Sequence, residues 1–212
     1  MCPSAHTIYN NAAEELCRAG GLALTQEALD FCGFAPGSCL ADIGCGKGAT
    51  VRYIRAAGFD AVGLDRDAAA VEQAGPHCRP GDSSRLPYQE KSLDGLFFEC
   101  SLSQMEARNA VLDEARRVLK DSGRLVISDL YFRNDQQGGF LQNHDEWQKT
   151  ITEAGFTILL FEDKSFCLAE FAAQLVWRHG RAKLRELCGC DMKELKAGHC
   201  GYFLLIAQKE AS

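Results

Sequence analysis

The glycine-rich run LADIGCGKGA, residues 40–49, carries the most distinctive chemistry of the sequence. Gly44-x-Gly46 with an alanine at position 49 fits the G-x-G-x-x-G/A fingerprint of dinucleotide-binding turns. Asp42, however, stands two residues before the first glycine, and in a partly desolvated cleft its charge repels a pyrophosphate. The turn therefore favours a ligand with positive groups near Asp42, and a nicotinamide dinucleotide remains the alternative at this point.

Further acidic positions follow along the chain. Asp65 ends the run AVGLD, where a carboxylate is suited to accept hydrogen bonds from both hydroxyls of a ribose. Dehydrogenases use the same device, so Asp65 alone does not separate the two kinds of ligand. Asp65 could also cap a helix, but Asp67 can fill that role instead. Asp82, in the run Gly-Asp-Ser, is either a second ligand contact or a turn residue.

Taken together, these runs resemble the class I S-adenosylmethionine-dependent methyltransferases. The run Asp42-x-Gly44-x-Gly46-x-Gly48 resembles the first motif of that family, and GDSSRLPY followed by SLD resembles its GDAxxLPF…SFD pattern. The stretch EARRVLKDSGRL, residues 114–125, resembles E-x-x-R-V-L-K-P-G-G-x-L, but has Asp-Ser where the family usually has Pro-Gly. The resemblance covers residues 40–129 and is closest to the small-molecule branch that includes the ubiquinone/menaquinone-biosynthesis enzymes.

The resemblance implies S-adenosylmethionine as cofactor, S-adenosylhomocysteine as product and a small molecule as methyl acceptor. The positive groups of this cofactor also suit Asp42, which is placed to hold its ammonium side. The family implies that the residue at Asp65 binds the ribose and that the one at Asp82 binds the adenine amino group. The complete set of expected cofactor contacts is Asp42, Gly44, Cys45, Gly46, Asp65, Arg66, Asp82, Ser83, Glu99 and Cys100.

Catalytic residues are not identified by the sequence. In-line methyl displacement depends chiefly on positioning the acceptor and excluding water, so it does not require a dedicated base. Weaker candidates are Glu99, Tyr131 and His144; the alternative for Glu99 is a helix-start carboxylate stabilised by the helix dipole, and for the other two a solvated loop position. Arg18, just before a Gly-Gly pair, is placed to approach the carboxylate of the cofactor.

Eleven cysteines are many for this length. An odd count and an N-terminus without a basic or apolar leader argue against a disulfide framework, so we expect a reducing, cytoplasmic environment. Most of these thiols are expected to act as small hydrophobic groups. Cys188-x-Cys190 with Cys200 nearby is a weaker hypothesis for binding a soft metal or metalloid, but the spacing does not match zinc sites and no metal is expected.

Composition restricts the choice of partners. The chain has 212 residues, is 46% hydrophobic and carries a net charge of -6, so neither nucleic acid nor a membrane is expected to bind it. A small-molecule acceptor is the expected partner, whereas a homodimer or a protein partner is left open. The alternatives to a methyltransferase are a non-catalytic cofactor-binding scaffold and a nicotinamide-dependent oxidoreductase.

The elements that must position these residues alternate between short β-rich runs and helical patterns. This alternation predicts one doubly wound, mostly parallel seven-stranded α/β sheet, in which ligands bind at the carboxyl ends of the strands. We expect a single domain over residues 1–212: a helical cap at 1–36, a core at 37–163, a helical insert at 164–200 and a last strand at 201–212. Strands are predicted at 40–43, 61–64, 77–79, 93–99, 124–129, 156–161 and 201–207. Helices are predicted at 11–31, broken at Gly20-Gly21, and at 49–57, 67–73, 106–119, 145–154 and 168–187, the last either a lid or a helix packed over the sheet edge.

Overall fold

A seven-stranded sheet forms the centre of the computed structural model, which describes residues 18–133, 141–188, 193 and 200–210. The strand order is β3-β2-β1-β4-β5-β7-β6, and β7 alone among them runs antiparallel to its neighbours. The predicted fold class is therefore confirmed. The strands are β1 Cys39–Ile43, β2 Asp60–Asp65, β3 Cys78–Pro80, β4 Leu93–Glu99, β5 Leu119–Phe132, β6 Phe156–Asp163 and β7 Cys200–Lys209.

Helices cover both faces of this sheet, because successive residues of the central strands point to opposite sides. On β4, Phe97 packs into a core with α1, α2 and α6, whereas Leu96 and Phe98 pack into a second core with α4 and α5. The helices in the described residues are α1 Gly21–Cys32, α2 Ala49–Ala56, α3 Ala68–Ala74, α4 Arg108–Val118, α5 His144–Glu153 and α6 Ser165–Cys188, with a short 3₁₀ helix at Leu102–Gln104.

Three predicted elements differ in detail from the observed ones. The predicted helix at 106–119 begins only at Arg108, because a 3₁₀ turn precedes it. The predicted strand at 124–129 begins earlier, at Leu119, and residues 120–123 form an irregularity inside β5, where the pairing with β4 shifts register and Ser122 adopts a φ of 63°. The long helix α6 is interrupted at Gly180, whose φ of 80° and ψ of 167° are not helical. Residues 11–17 of the predicted N-terminal helix lie outside the described residues.

The sequence explains several helix starts. Asp67 precedes α3, and its carboxylate accepts hydrogen bonds from the backbone N–H groups of Ala69 and Ala70 at 3.0 and 3.2 Å. Asn143 and Glu146 form a capping box at the start of α5. Among the described residues, no helix has the length and apolar character needed to cross a bilayer.

Candidate functional site

A cavity of about 1300 Å³ opens at the carboxyl ends of β1, β2 and β4. Strand order reverses there, because β1 lies between β2 on one side and β4 on the other, and such switch points are where open α/β sheets bind ligands. All ten residues that the sequence predicts as cofactor contacts line this one cavity: Asp42, Gly44, Cys45, Gly46, Asp65, Arg66, Asp82, Ser83, Glu99 and Cys100.

Gly44 and Gly46, in the turn after β1, serve different purposes. Gly44 has a φ of 83°, and a Cβ atom there would clash with Cβ of Ser101 in the loop after β4. Gly46 has a φ of 49°, and a Cβ atom there would have no neighbour within 4 Å. Gly44 therefore allows two loops to approach each other, whereas Gly46 leaves the space beside the turn open to a ligand.

Asp65 fixes the conformation of the glycine turn. Its Oδ2 accepts a hydrogen bond from the backbone N–H of Gly46 at 2.7 Å, and its Oδ1 accepts one from that of Asp67 at 2.9 Å. Because Asp67 caps α3, Asp65 is not needed for that role, as the sequence indicated. Each carboxylate oxygen has a second lone pair, so Asp65 retains the capacity to accept bonds from a ligand.

Asp42, at the end of β1, is buried in the cavity wall with 3% of its surface exposed. Its Oδ1 atom has no hydrogen-bond partner within the described part of the chain. Burial, followed by the charge of Glu99, raises the pKa of Asp42 well above its usual value, although Arg18 acts in the opposite direction. A buried carboxylate oxygen without a partner suits a cationic group of a ligand and disfavours a pyrophosphate.

Glu99, at the end of β4, is also buried, but both of its carboxylate oxygens are engaged by protein groups. Its Oε2 accepts hydrogen bonds from Thr50 Oγ1 at 2.5 Å and forms an ion pair with Arg18 Nη2 at 2.7 Å. Its Oε1 accepts one from Thr25 Oγ1 at 2.9 Å. The interpretation of Glu99 as a helix-start carboxylate is wrong, because the nearest helical turn begins at Leu102.

Arg18 lies between these two carboxylates in the cavity wall, with 6% of its surface exposed. Burial is the largest single influence on the pKa of its guanidinium and lowers it, but Glu99 and the other neighbouring acidic groups together raise it by more. The net shift is upward, so Arg18 remains protonated. It also donates a hydrogen bond to Thr25, whereas its buried Nε has no partner within residues the structure describes. Arg18 thus brings a positive charge to the cavity, where the sequence expected it.

The loop after β4 is held by contacts that the sequence did not reveal. Cys100 adopts a φ of 58°, and its backbone N–H donates to Ser128 O at 2.7 Å. Its Sγ lies 2.7 Å from the hydroxyl of Tyr202, and Ser101 Oγ donates to Ile43 O at 2.6 Å. Thr25, Thr50, Ser101 and Tyr202 were all missed, because each acts through a partner distant in sequence and none belongs to a local motif.

Asp82 and Ser83 stand at the rim of the cavity, beyond β3. Asp82 Oδ1 accepts hydrogen bonds from the backbone N–H and the hydroxyl of Ser84, at 2.9 and 2.8 Å. These two bonds lower the pKa of Asp82, so its carboxylate is ionised at neutral pH. The turn therefore presents a fixed acceptor to the cavity.

The predicted catalytic candidates Tyr131 and His144 do not line the cavity, which corrects their placement. The Tyr131 ring packs edge-on against Phe161 on the opposite face of the sheet, and its hydroxyl donates to Asp163 Oδ2 at 3.0 Å. His144 begins α5, and its ring packs against the same Phe161 ring, with 4.4 Å between the two ring centroids. The sequence placed both residues after the predicted strand at 124–129, but Tyr131 lies within β5, where strand alternation sets the face that it occupies, and His144 begins a helix.

The cysteines of the metal hypothesis are only partly described. Cys188 ends α6, Cys190 lies outside the described residues, and Cys200 begins β7 opposite Phe132. Over residues 18–133, 141–188, 193 and 200–210, no group of three or more His, Cys, Asp or Glu side chains is arranged to hold a metal ion.

The sequence of the segment that forms most of this cavity matches a known protein family. Residues 41–127 match the methyltransferase domain family. The O-methyltransferase resE of Aspergillus sclerotiorum is 27% identical over 186 residues, which cover 76% of this chain and 67% of that protein. A demethylmenaquinone methyltransferase of Beutenbergia cavernae is 31% identical over 110 residues, covering 49% of this chain and 45% of the relative.

A solved structure supports the fold. Phosphoethanolamine N-methyltransferase 2 of Haemonchus contortus, in complex with S-adenosyl-L-methionine, superimposes with a TM-score of 0.79 at 14% identity, covering 94% of this chain and 55% of that one. The matched family segment runs from the acidic glycine turn through most of β5, the part of the chain that forms the cavity. Residues 41–127 therefore belong to the methyltransferase domain family, and the relatives and the fold together support a class I S-adenosylmethionine-dependent methyltransferase.

Proposed function

We propose that the cavity holds S-adenosylmethionine with its ammonium group on Asp42 and its carboxylate towards Arg18. The observation that carries this proposal is the Oδ1 atom of Asp42, which is buried in the wall without a partner in the described residues. The unpartnered Nε of Arg18 supplies the complementary charge nearby. When bound, the cofactor supplies an electrophilic methyl group on a sulfonium ion.

The remaining contacts with the cofactor come from the strands next to β1, first β2 and then the turn beyond β3. Asp65, on β2, accepts the ribose hydroxyls with the lone pairs that Gly46 and Asp67 leave free. Asp82 and Ser83, beyond β3, supply an acceptor and a backbone donor to the adenine edge. The rest of the predicted set contributes the walls of the cavity: Gly44, Cys45, Gly46, Arg66, Glu99 and Cys100.

We infer that the methyl group goes to an oxygen atom of a small organic acceptor. The relative named as an O-methyltransferase matches 76% of this chain, whereas the demethylmenaquinone methyltransferase matches 49%. Because both oxygens of Glu99 are engaged by protein groups, we assign this carboxylate a role in positioning the site and not the role of a general base. The acceptor is therefore a hydroxyl that ionises readily, such as a phenol or an enol, for which positioning and exclusion of water are sufficient.

Cofactor binding is tested by calorimetric titration with S-adenosylhomocysteine, with NADH as the comparison ligand. We expect S-adenosylhomocysteine to bind, Asp65→Ala to weaken that binding, and NADH to give no signal. Binding of NADH in place of S-adenosylhomocysteine would overturn the assignment of Asp42.

The acceptor class is tested by incubating the enzyme with S-adenosylmethionine and matched panels of phenols, alkyl alcohols and primary amines. Mass spectrometry should detect methylated phenols and an equal amount of S-adenosylhomocysteine. Methylated amines without methylated phenols would contradict the oxygen acceptor but leave the cofactor site unaffected.

The organisation and environment of the chain are also proposed. We propose that residues 1–212 act as one domain, located in the cytoplasm and acting without nucleic acid or membrane. Limited proteolysis that releases a stable fragment would contradict the single domain, and cell fractionation tests the location.

A further inference from the structure

Two thiols meet directly behind the glycine turn of the cofactor site. Gly63, in the middle of β2, pairs with Asp42 on one side and with Cys78 of β3 on the other. A Cβ atom at position 63 would lie 2.7 Å from the Sγ atoms of both Cys45 and Cys78. The missing side chain of Gly63 therefore makes room for two sulfur atoms, which lie close enough for each thiol to shift the pKa of the other.

Cys45 and Cys78 differ from the other described cysteines because their two sulfur atoms lie together beside the glycine turn. Cys45 lies between Gly44 and Gly46 and lines the cavity, so a small oxidant that enters the cavity reaches its sulfur. Cys78 is only partly buried behind it. Both are free thiols in the structure.

We propose that Cys45 and Cys78 form a reversible disulfide that closes the cofactor site. In this step two S–H bonds break and one S–S bond forms, while two electrons and two protons pass to a two-electron oxidant; hydrogen peroxide would become two molecules of water. A disulfide requires a sulfur separation of about 2.0 Å, shorter than the contact distance of two separate thiols. Cys45 must therefore move towards β3 and take the glycine turn with it.

The consequence for binding follows from the hydrogen bonds of the turn. The backbone N–H groups of Gly44 and Cys45 both donate to Leu64 O, at 2.7 and 3.2 Å, and that of Gly46 donates to Asp65. Displacing Cys45 disturbs these bonds and moves Asp65 relative to the turn. Because this inference rests on the proposed cofactor site, pairing and binding are measured separately.

The electrostatic surroundings keep the pair reduced at rest. Burial, followed by the charges of Asp42 and Asp65, raises the pKa of the Cys45 thiol. Burial also raises the pKa of Cys78, with Arg52 acting in the opposite direction. Since the thiolate is the reactive form, both sulfurs react slowly with oxidants, and the disulfide forms only under sustained oxidation.

The test uses the full chain, reduced and then treated with diamide, whose N=N group takes up the two hydrogen atoms. Peptide mass mapping after alkylation should show a Cys45–Cys78 cross-link that dithiothreitol removes. Calorimetry should show that S-adenosylhomocysteine binds the oxidised protein about tenfold or more weakly, the equivalent of about one lost hydrogen bond. Cys78→Ser should retain binding after diamide, whereas the matched control Cys39→Ser, at the opposite end of β1, should lose it like the wild type.

The outcomes separate this inference from the proposed function. If the mass map shows no cross-link between Cys45 and Cys78, the pairing is overturned, whatever the protein binds. If the cross-link forms and binding is unchanged, the closing of the site is overturned. If the reduced wild type fails to bind S-adenosylhomocysteine at all, the cofactor site is contradicted and the closing of that site fails with it, while the mass map still decides the pairing.

Discussion

The ends of β1 and β4 each carry a buried carboxylate, and the two carboxylates have opposite surroundings. Glu99, on β4, accepts hydrogen bonds from two threonines and pairs with Arg18. Asp42, on β1, leaves one buried oxygen without a partner in the described residues. The contrast indicates two different roles: Glu99 ties α1 and α2 to the sheet, whereas Asp42 keeps a buried oxygen available for a ligand.

The largest expected effect comes from breaking the engaged carboxylate. Glu99→Gln leaves the buried Arg18 charge without its partner, which should lower the free energy of unfolding by about 3 to 5 kcal/mol. Urea denaturation measures this loss. Asp60→Asn is the matched control, because the Arg55–Asp60 pair is exposed and should contribute no more than about 1 kcal/mol. Equal effects of the two substitutions would refute the structural role of Glu99.

The glycine turn allows a second comparison, between a packed and an open position. Gly44→Ala forces a Cβ atom against Ser101 and should destabilise the protein by about 1 to 3 kcal/mol. Gly46→Ala meets no neighbour, so it should cost about 1 to 2 kcal/mol at most, from its left-handed backbone alone. Its main effect should be weaker binding of S-adenosylhomocysteine. Thermal unfolding together with calorimetry distinguishes the two, and the reverse order of stability would contradict the packing role of Gly44.

A smaller effect is expected at the threonines around Glu99. Thr50→Val removes one buried hydrogen bond to Glu99 while nearly preserving the shape of the side chain, and should cost about 1.5 kcal/mol, the lower end of the range for a hydrogen bond to a charged group. Thr152→Val is a suitable control, because its hydroxyl bonds only backbone carbonyls on the exposed face of α5. If both substitutions change the free energy of unfolding equally, the network around Glu99 is weaker than its geometry indicates.

Asp42 should also affect how the free energy of unfolding depends on pH. Because the pKa of Asp42 is raised in the folded state, the folded protein retains a proton that the unfolded chain releases above its ordinary value of 3.8. Ionisation of Asp42 therefore reduces stability as pH rises from that value through the raised pKa. Asp42→Asn removes this loss, so the variant should gain stability over the wild type progressively with pH.

Urea denaturation of both proteins at a series of pH values gives this difference directly. Asp129 is also buried and has a raised pKa, caused mainly by desolvation. It is present in both proteins, so its contribution cancels in the difference between them. A difference that does not vary with pH would contradict the buried, electrostatically opposed state of Asp42.

The same contrast explains how far the sequence predicted the site. The turn after β1 was predicted in detail, because Asp42 and the glycines act within a few adjacent positions. The alternation of β-rich runs with helical patterns identified the strands and helices around it. The surroundings of Glu99 were not predicted, because Thr25 and Thr50 reach it from two helices distant in sequence and Arg18 reaches it from the segment before α1. Tyr131 and His144 were misplaced for a related reason: isolated residues carry no pattern that indicates which face of the sheet they occupy.

The most direct test of the central claim is the affinity of S-adenosylhomocysteine for wild type, Asp42→Asn and the control Asp60→Asn, measured by calorimetry beside urea denaturation. We predict that Asp42→Asn weakens binding by about 10- to 150-fold, the value of a charged hydrogen bond, without lowering the free energy of unfolding. Asp60→Asn should leave the affinity unchanged. Wild-type affinity in Asp42→Asn would contradict the account, because the unpartnered oxygen would then have no part in holding the ligand.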